Sequence, residues 1–284
     1  MNTMKTTVLL ATLTGLLVVF GNMLGGSQGA FIALIIAGSM NFISYWYSDK
    51  IVLSMYRAQE VSESDVPKLY RIVKRLTEKN QMPMPRVYLI NSESPNAFAT
   101  GRSPEHASVA ATSGILGILN EDELEGVMAH ELAHVRNRDT LTSTIAATIA
   151  GAITWIAHIV KWSAIWGGGM RGSDDNRSGG VFGALAMAIL APLAAMMIQM
   201  AISRSREYAA DEKGAQMSGK PLALANALAK LQKGAQIMPL RSGEPSTAHL
   251  FIVNPFKGGF SSLFSTHPPM EERIKRLQTL SRQM

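Results

Sequence analysis

Four long apolar runs, none containing Asp, Glu, Lys or Arg, constrain this chain more than any other feature. They are Val8–Leu24, Ala30–Tyr47, Leu141–Val160 and Val181–Ile202. Each is about as long as a helix needs to cross some 30 Å of hydrocarbon. The chain has 284 residues, and only 17% of them are charged. A soluble domain has nearer a quarter, and the deficit is concentrated in these runs. Tyr45, Trp46 and Tyr47 end the second run, and Trp155, Trp162 and Trp166 crowd the end of the third. Both aromatic clusters suit a membrane–water interface.

A cleaved signal peptide competes for the first run. A second apolar run follows after only GGSQG, which favours a two-helix hairpin. Lys5 precedes that hairpin, and Lys50, Arg57, Lys68, Arg71, Lys74 and Arg75 follow it. The positive-inside rule then places both of its ends in the cytoplasm. The net charge of +6 is read as basic segments beside anionic lipid. No nucleic-acid motif or aromatic-interleaved basic patch accompanies it, so nucleic acid is not expected as a partner. Cysteine is absent, which rules out disulfides, thiol nucleophiles and thiolate ligands.

The expected division is a transmembrane hairpin over 1–47, a polar segment over 48–140, a second hairpin over 141–202 and a polar segment over 203–284. The Gly-, Ser- and Asp-rich loop 167–180 reads as a mobile extracytoplasmic link, although Lys161, Arg171 and Arg177 argue against that side. The two polar segments then share the cytoplasmic side and can fold together. Leu69, Ile72, Val73 and Leu76 are spaced for one helix face. RVYLI, NAFAT and SVAATSG read as short strands. NEDELEGVMAHELAHVRNR reads as a helix, capped by Asn120 with Glu123 completing the box. The expected fold is therefore mainly α with a small β-sheet, with four transmembrane helices and a cytoplasmic domain.

His130, Glu131 and His134 form H-E-x-x-H. Residues four apart on a helix share a face, so two imidazoles can hold one zinc ion with Glu131 as general base. Catalytic zinc usually takes three protein ligands. No histidine follows at metzincin spacing, which turns attention to a glutamate on another helix. REYAADEKGA offers Glu207, and Asp211 one turn later can accept the N–H of a ligand histidine. Alone, E-x-x-x-D is weak. Its position strengthens it, because His134 precedes the third apolar run and Glu207 follows the fourth. A membrane hairpin brings its two ends together.

HELAHVRNRD, then SRSREYAADEKGA after a hairpin, then STHPPMEERIKRL resembles the HtpX-type integral-membrane zinc proteases. These are relatives of the CAAX prenyl endopeptidases within the glutamate-zincin group. The likeness covers nearly the whole chain. It implies one Zn2+ per chain, bound by His130, His134 and Glu207, with Glu131 catalytic. It further implies a multi-pass protein of the bacterial cytoplasmic (inner) membrane, its active site in a zincin-like catalytic domain facing the cytoplasm. Such a protease cleaves misfolded membrane proteins and unfolded polypeptides in stress response. Competing readings are a processing protease for lipidated peptides, an intramembrane-cleaving protease and a non-catalytic zinc scaffold.

His267, just before Pro268 and Pro269, is expected to stabilise the oxyanion, approach the zinc or cap a helix. Arg204 and Tyr208 flank Glu207 as candidate charge stabilisers. Asn96, Ala97, Phe98 and Ala99 resemble the family's cleft strand, which would pair with extended substrate. His106 and His249 are read as surface residues, and His158 as facing a neighbouring helix.

Overall fold

The structure, a computed structural model, describes residues 2–150, 204–239, 245–254 and 268–284. Among these, α1 (Asn2–Met55) is two helices joined at Gly25 and Gly26, where the helical dihedrals break. Gly26 has φ +57°, in the left-handed region that glycine adopts without strain. The two arms fold back on each other. The amide of Asn41 donates to Thr14 Oγ1 at 2.9 Å. A Cβ on Gly21 would sit 2.5 Å from the Gly29 carbonyl oxygen, so glycine permits the close approach. The second arm, Gly25–Met55, is long and apolar enough to cross a membrane by length and composition. It exposes Phe31, Ile32, Leu34, Ile35 and Ile36, and Trp46 and Tyr47 near its end.

Two shorter apolar helices, Thr6–Val19 within α1 and Thr140–Ala150, pack together. Leu9 and Leu13 meet Ile145 and Ile149, and Thr6 hydrogen-bonds Thr142 at 3.1 Å. The remainder of the third apolar run with His158, the 167–180 loop and the whole fourth run lie outside the described residues.

Between these helices the chain forms β1 (Gln59–Glu60), α2 (Pro67–Lys79), β2 (Arg86–Ile90), β3 (Ala97–Gly101), β4 (Ala107–Thr112), α3 (Ser113–Ile118) and α4 (Glu121–Arg136). Thr140–Ala150 is α5. Beyond it come α6 (Arg204–Ser218), α7 (Pro221–Ile237) and α8 (Met270–Leu280). The sheet is mixed, in the order β1-β2-β4-β3. The pair β2–β4 is parallel and the other two pairs are antiparallel. The fold is mainly helical with this small sheet, as the sequence implies.

Strand side chains alternate between faces, and that alternation sorts the core. Val87, Ala97, Ala99, Val109 and Ala111 face α2 and α4. Tyr88, Ile90, Phe98 and Ala110 face the end of α1, with Tyr56 and Phe251. The sheet is thus clamped between the helical body and the base of the apolar helices. Helix α2 buries the Leu69, Ile72, Val73 and Leu76 stripe, an amphipathic helix docked by one face. Helix α4 starts in a capping box: Asn120 Oδ1 accepts from the Glu123 N–H and Glu123 Oε2 from the Asn120 N–H, each at 2.9 Å.

Candidate metal centre

Helix α4 runs through the middle of the body, and α6 lies along it at very close range. A Cβ on Gly214 of α6 would stand 2.8 Å from both Cα and N of His130. That contact lets the two backbones approach until their side chains share one space. His130 and His134 project from one face of α4, and Glu207 projects from the first turn of α6.

His130 Nε2 lies 3.2 Å from His134 Nε2. Glu207 Oε1 is 3.5 Å from His134 Nε2, and Glu207 Oε2 is 3.9 Å from His130 Nε2. Bonds of 2.0–2.1 Å to a tetrahedral ion separate neighbouring ligand atoms by about 3.3 Å. The trio therefore has the spacing and chemistry to hold a metal ion, and its donor atoms all lie within 4.8 Å of one another.

The far nitrogens of both histidines meet aspartates. His130 Nδ1 is 2.9 Å from Asp211 Oδ1, and His134 Nδ1 is 3.4 Å from Asp139 Oδ2. Nδ1–H donating to a carboxylate leaves the Nε2 lone pair for a metal. Each aspartate is in turn held by an arginine. Arg273 contacts both Asp211 oxygens at 2.8 Å, and Arg206 Nη1 lies 3.4 Å from Asp139 Oδ1. Among the described residues around this space, four carboxylates (Glu131, Glu207, Asp139, Asp211) face two guanidiniums (Arg206, Arg273). With neutral histidines, two negative charges are left over, the complement of a divalent cation.

Ionisation follows the same imbalance. Burial pushes the Glu131 carboxyl up to about 8, with the Glu207 charge adding to the rise. Burial works against charge on His134, but the Glu207, Asp139 and Glu131 carboxylates outweigh it and lift the imidazole to about 9. Burial lowers His130 from its ordinary value despite Asp211. Burial opposes charge on Asp211 too, yet Arg273 and His130 hold it well below the usual carboxylate range.

Glu131 and His134 thus keep protons in the metal-free fold to a higher pH than in an unfolded chain. The folded state binds more protons than the unfolded one, so stability falls as pH rises. The metal-free protein is expected to melt at progressively lower temperature between about pH 6 and about pH 9, and to lose that slope when a divalent metal is restored. A metal-free melting temperature that climbs over this range contradicts the assignment.

Glu131 is buried in α4 and accepts a hydrogen bond from the Ala99 N–H of β3. The cavity beside the three donor side chains is lined by Ala99, Glu131, Asp139, Thr140, His249 and Phe251, among others. Of the four strand residues expected to meet substrate, Ala99 alone lines it. Asn96 is buried, and its amide donates to the Val253 carbonyl at 2.6 Å. The Ala97 carbonyl accepts from the Ile252 N–H at 3.2 Å. Phe98 points to the other face, edge-on to Phe251. At the strand's far end the Gly101 carbonyl accepts from Thr140 Oγ1. The outer edge of β3 is therefore largely engaged within the chain and offers little free backbone for strand addition.

Arg204 is exposed, and Tyr208 turns to a separate groove, where the Arg276 guanidinium lies 3.8 Å from its ring centroid. Tyr208 is displaced about 100° around α6 from Glu207, as helical periodicity requires. Neither residue reaches the cavity. His267 lies outside the described residues. His106 is exposed. His249, by contrast, is buried with Nε2 3.0 Å from the Ser143 carbonyl oxygen, because residues 247–253 fold over the cavity instead of across the surface. Asp139, Arg206 and Arg273 are site residues that lie within HELAHVRNRD, SRSREYAADEKGA and STHPPMEERIKRL, but nothing in the residue pattern assigns them a role. Asp139 carries a faint signal, lying five residues after His134 in VRNRD. The arginines carry none, since their partners are set by tertiary packing.

Residues 63–281 match the model of the family described as Peptidase family M48. The chain is 56% identical over 277 residues to "Protease HtpX homolog" of Syntrophobacter fumaroxidans, spanning 97% of this chain and 98% of that one. It is 55% identical over 282 residues to the protein of the same description from Thermococcus kodakarensis, spanning 99% and 97%. Among solved structures, Ste24p of S. mikatae superposes with a TM-score of 0.52 at 15% identity. That likeness, one of fold alone, covers 97% of this chain and 65% of Ste24p.

Proposed function

The chain belongs to peptidase family M48 as a membrane metalloprotease of the HtpX type, and from that premise we propose that it is a zinc endopeptidase acting at the cytoplasmic surface of the cell's inner membrane. Its proposed substrates are misfolded or damaged membrane proteins and unfolded polypeptides. The observation that carries this reading is the split ligand set. His130 and His134 sit on the helix that precedes α5, and Glu207 sits just after the fourth apolar run. Two apolar hairpins, 1–47 and 141–202, would then hold the site close to the bilayer. The halves 48–140 and 203–284 would build one catalytic body, as the packing of α4 against α6 supports.

His130 and His134 would ligate the metal through Nε2, with Glu207 as the third ligand. A bound zinc ion would polarise the scissile carbonyl and make water a better nucleophile at neutral pH. The protein's own groups supply the rest. Glu131 is the proposed base that takes the proton of the attacking water and returns it to the departing amine. The Ala99 N–H holds its carboxylate in place. Asp211 and Asp139 orient the two imidazoles. With the Ala99 N–H engaged by Glu131, the Ala99 carbonyl would be the group of β3 left to align the substrate backbone beside the site. Arg204 and Tyr208 lie away from the cavity, and no role in this chemistry is proposed for them.

Membrane proteomes of cells producing the wild type or Glu131→Gln test the substrate class. Polytopic membrane proteins are expected to accumulate with, and co-purify on, the inactive form. Indistinguishable membrane proteomes under conditions that damage membrane proteins would remove the quality-control reading.

A further inference from the structure

Arg273 is the largest side chain that the fold buries completely among the described residues. It lies in α8, far along the chain from either ligand helix. Its Nε donates to Asp211 Oδ2 and its Nη2 to Asp211 Oδ1, both at 2.8 Å, a two-pronged pairing. Its Nη1 donates to the Ile252 carbonyl at 3.1 Å and stands 3.9 Å from Glu207 Oε2. Asp211 Oδ1 is shared between this guanidinium and His130 Nδ1. One planar group therefore touches the partner of the first ligand histidine, approaches the ligand glutamate and fixes the segment that lines the opposite wall of the cavity.

We propose that Arg273 is a positioning residue of the metal centre, setting the orientation of Asp211, and through it His130, while locking residues 250–253 over the cavity. The proposal rests on the metal reading given above. A buried ion pair is weak evidence for stability, because desolvating two charges offsets most of their attraction. Stability alone therefore gives little reason for a fully buried arginine here. Geometry gives one. The guanidinium fork matches both carboxylate oxygens and still directs Nη1 to the Ile252 carbonyl. Lysine presents a single point charge and cannot hold all three acceptors in one plane. Without the fork, Asp211 can rotate, and the His130 ring loses its fixed angle and tautomer.

The test measures zinc affinity by chelator competition on the full-length protein in detergent. The variants are Arg273→Lys, Asp211→Asn and the double Asp211→Asn/Arg273→Gln, which removes both members of the Asp211–Arg273 ion pair together. Leu277→Ala loosens the same helix through its buried core contact and serves as the stability control. Loss of outer partners of metal ligands typically weakens affinity about 10–100-fold. Arg273→Lys is expected to show a loss in that range, with Asp211→Asn similar and the double variant no weaker than either. Leu277→Ala should lower the melting temperature while retaining wild-type affinity. If Arg273→Lys accumulates poorly, the double variant carries the comparison. Wild-type affinity in the arginine variants, or an equal loss in Leu277→Ala, overturns the proposal. A wild type that binds no zinc overturns the metal reading instead.

Discussion

Glu131→Gln is expected to reduce peptide hydrolysis by about 10²–10⁴-fold, the usual share of a general acid–base group, while metal content stays at the wild-type level. The two side chains are close in size, and the amide can still accept the Ala99 N–H that steadies Glu131. What it cannot do is take up a proton. Glu131 is one residue past His130 and points to the β3 side of the cavity, outside the trio that offers metal ligands. Burial lifts its carboxyl to about 8 in the metal-free fold, and the charge of a bound dication would lower it again, leaving a carboxylate able to take a proton. Hydrolysis of casein and metal content by mass spectrometry, made on the same preparations, check the two halves of this expectation. Proteolysis at the wild-type rate would falsify the role of Glu131.

The second large effect is at Glu207. Glu207→Ala should lower zinc from about one per chain to near zero after dialysis, since a catalytic zinc site normally rests on three protein ligands. Activity should fall to background with it. Two imidazoles with Nε2 atoms 3.2 Å apart remain, and they lose the carboxylate that approaches both. The truncation also leaves Arg273 facing Asp211 without the second acidic neighbour at 3.9 Å. Unchanged zinc stoichiometry in this variant would remove Glu207 from the ligand set.

Most of this centre is legible in the amino-acid sequence, because the key signals are local. H-E-x-x-H declares a helix face, and Asn120 with Glu123 marks where that helix starts. RVYLI carries its strand in β-branched and aromatic residues. Glu207 needs one further step, that an apolar hairpin returns the chain to where it left. The structure brings that glutamate beside both histidines.

What escapes the sequence depends on contacts between distant segments. Arg273 is one of several basic residues in EERIKRLQTL, and nothing local sets it apart from the exposed Arg276. Only the packing of α8 on α6 does so. Asn96–Phe98 has the pattern of a strand, but nothing in that pattern says that Phe251–Val253 folds against its edge. Tyr208 adjoins Glu207 in sequence, yet helical geometry sends it to another groove. His249 sits in a polar stretch, STAHL, that gives no hint of folding over the cavity.

One metal ion is proposed to join His130 and His134 of α4 to Glu207 of α6. The most direct measurement is an anomalous difference map, collected at the zinc absorption edge from crystals of the full-length protein. A single strong peak is predicted about 2.0–2.2 Å from Nε2 of both histidines and from a carboxylate oxygen of Glu207. A zinc peak elsewhere, or one at the histidines with Glu207 beyond bonding distance, would contradict it.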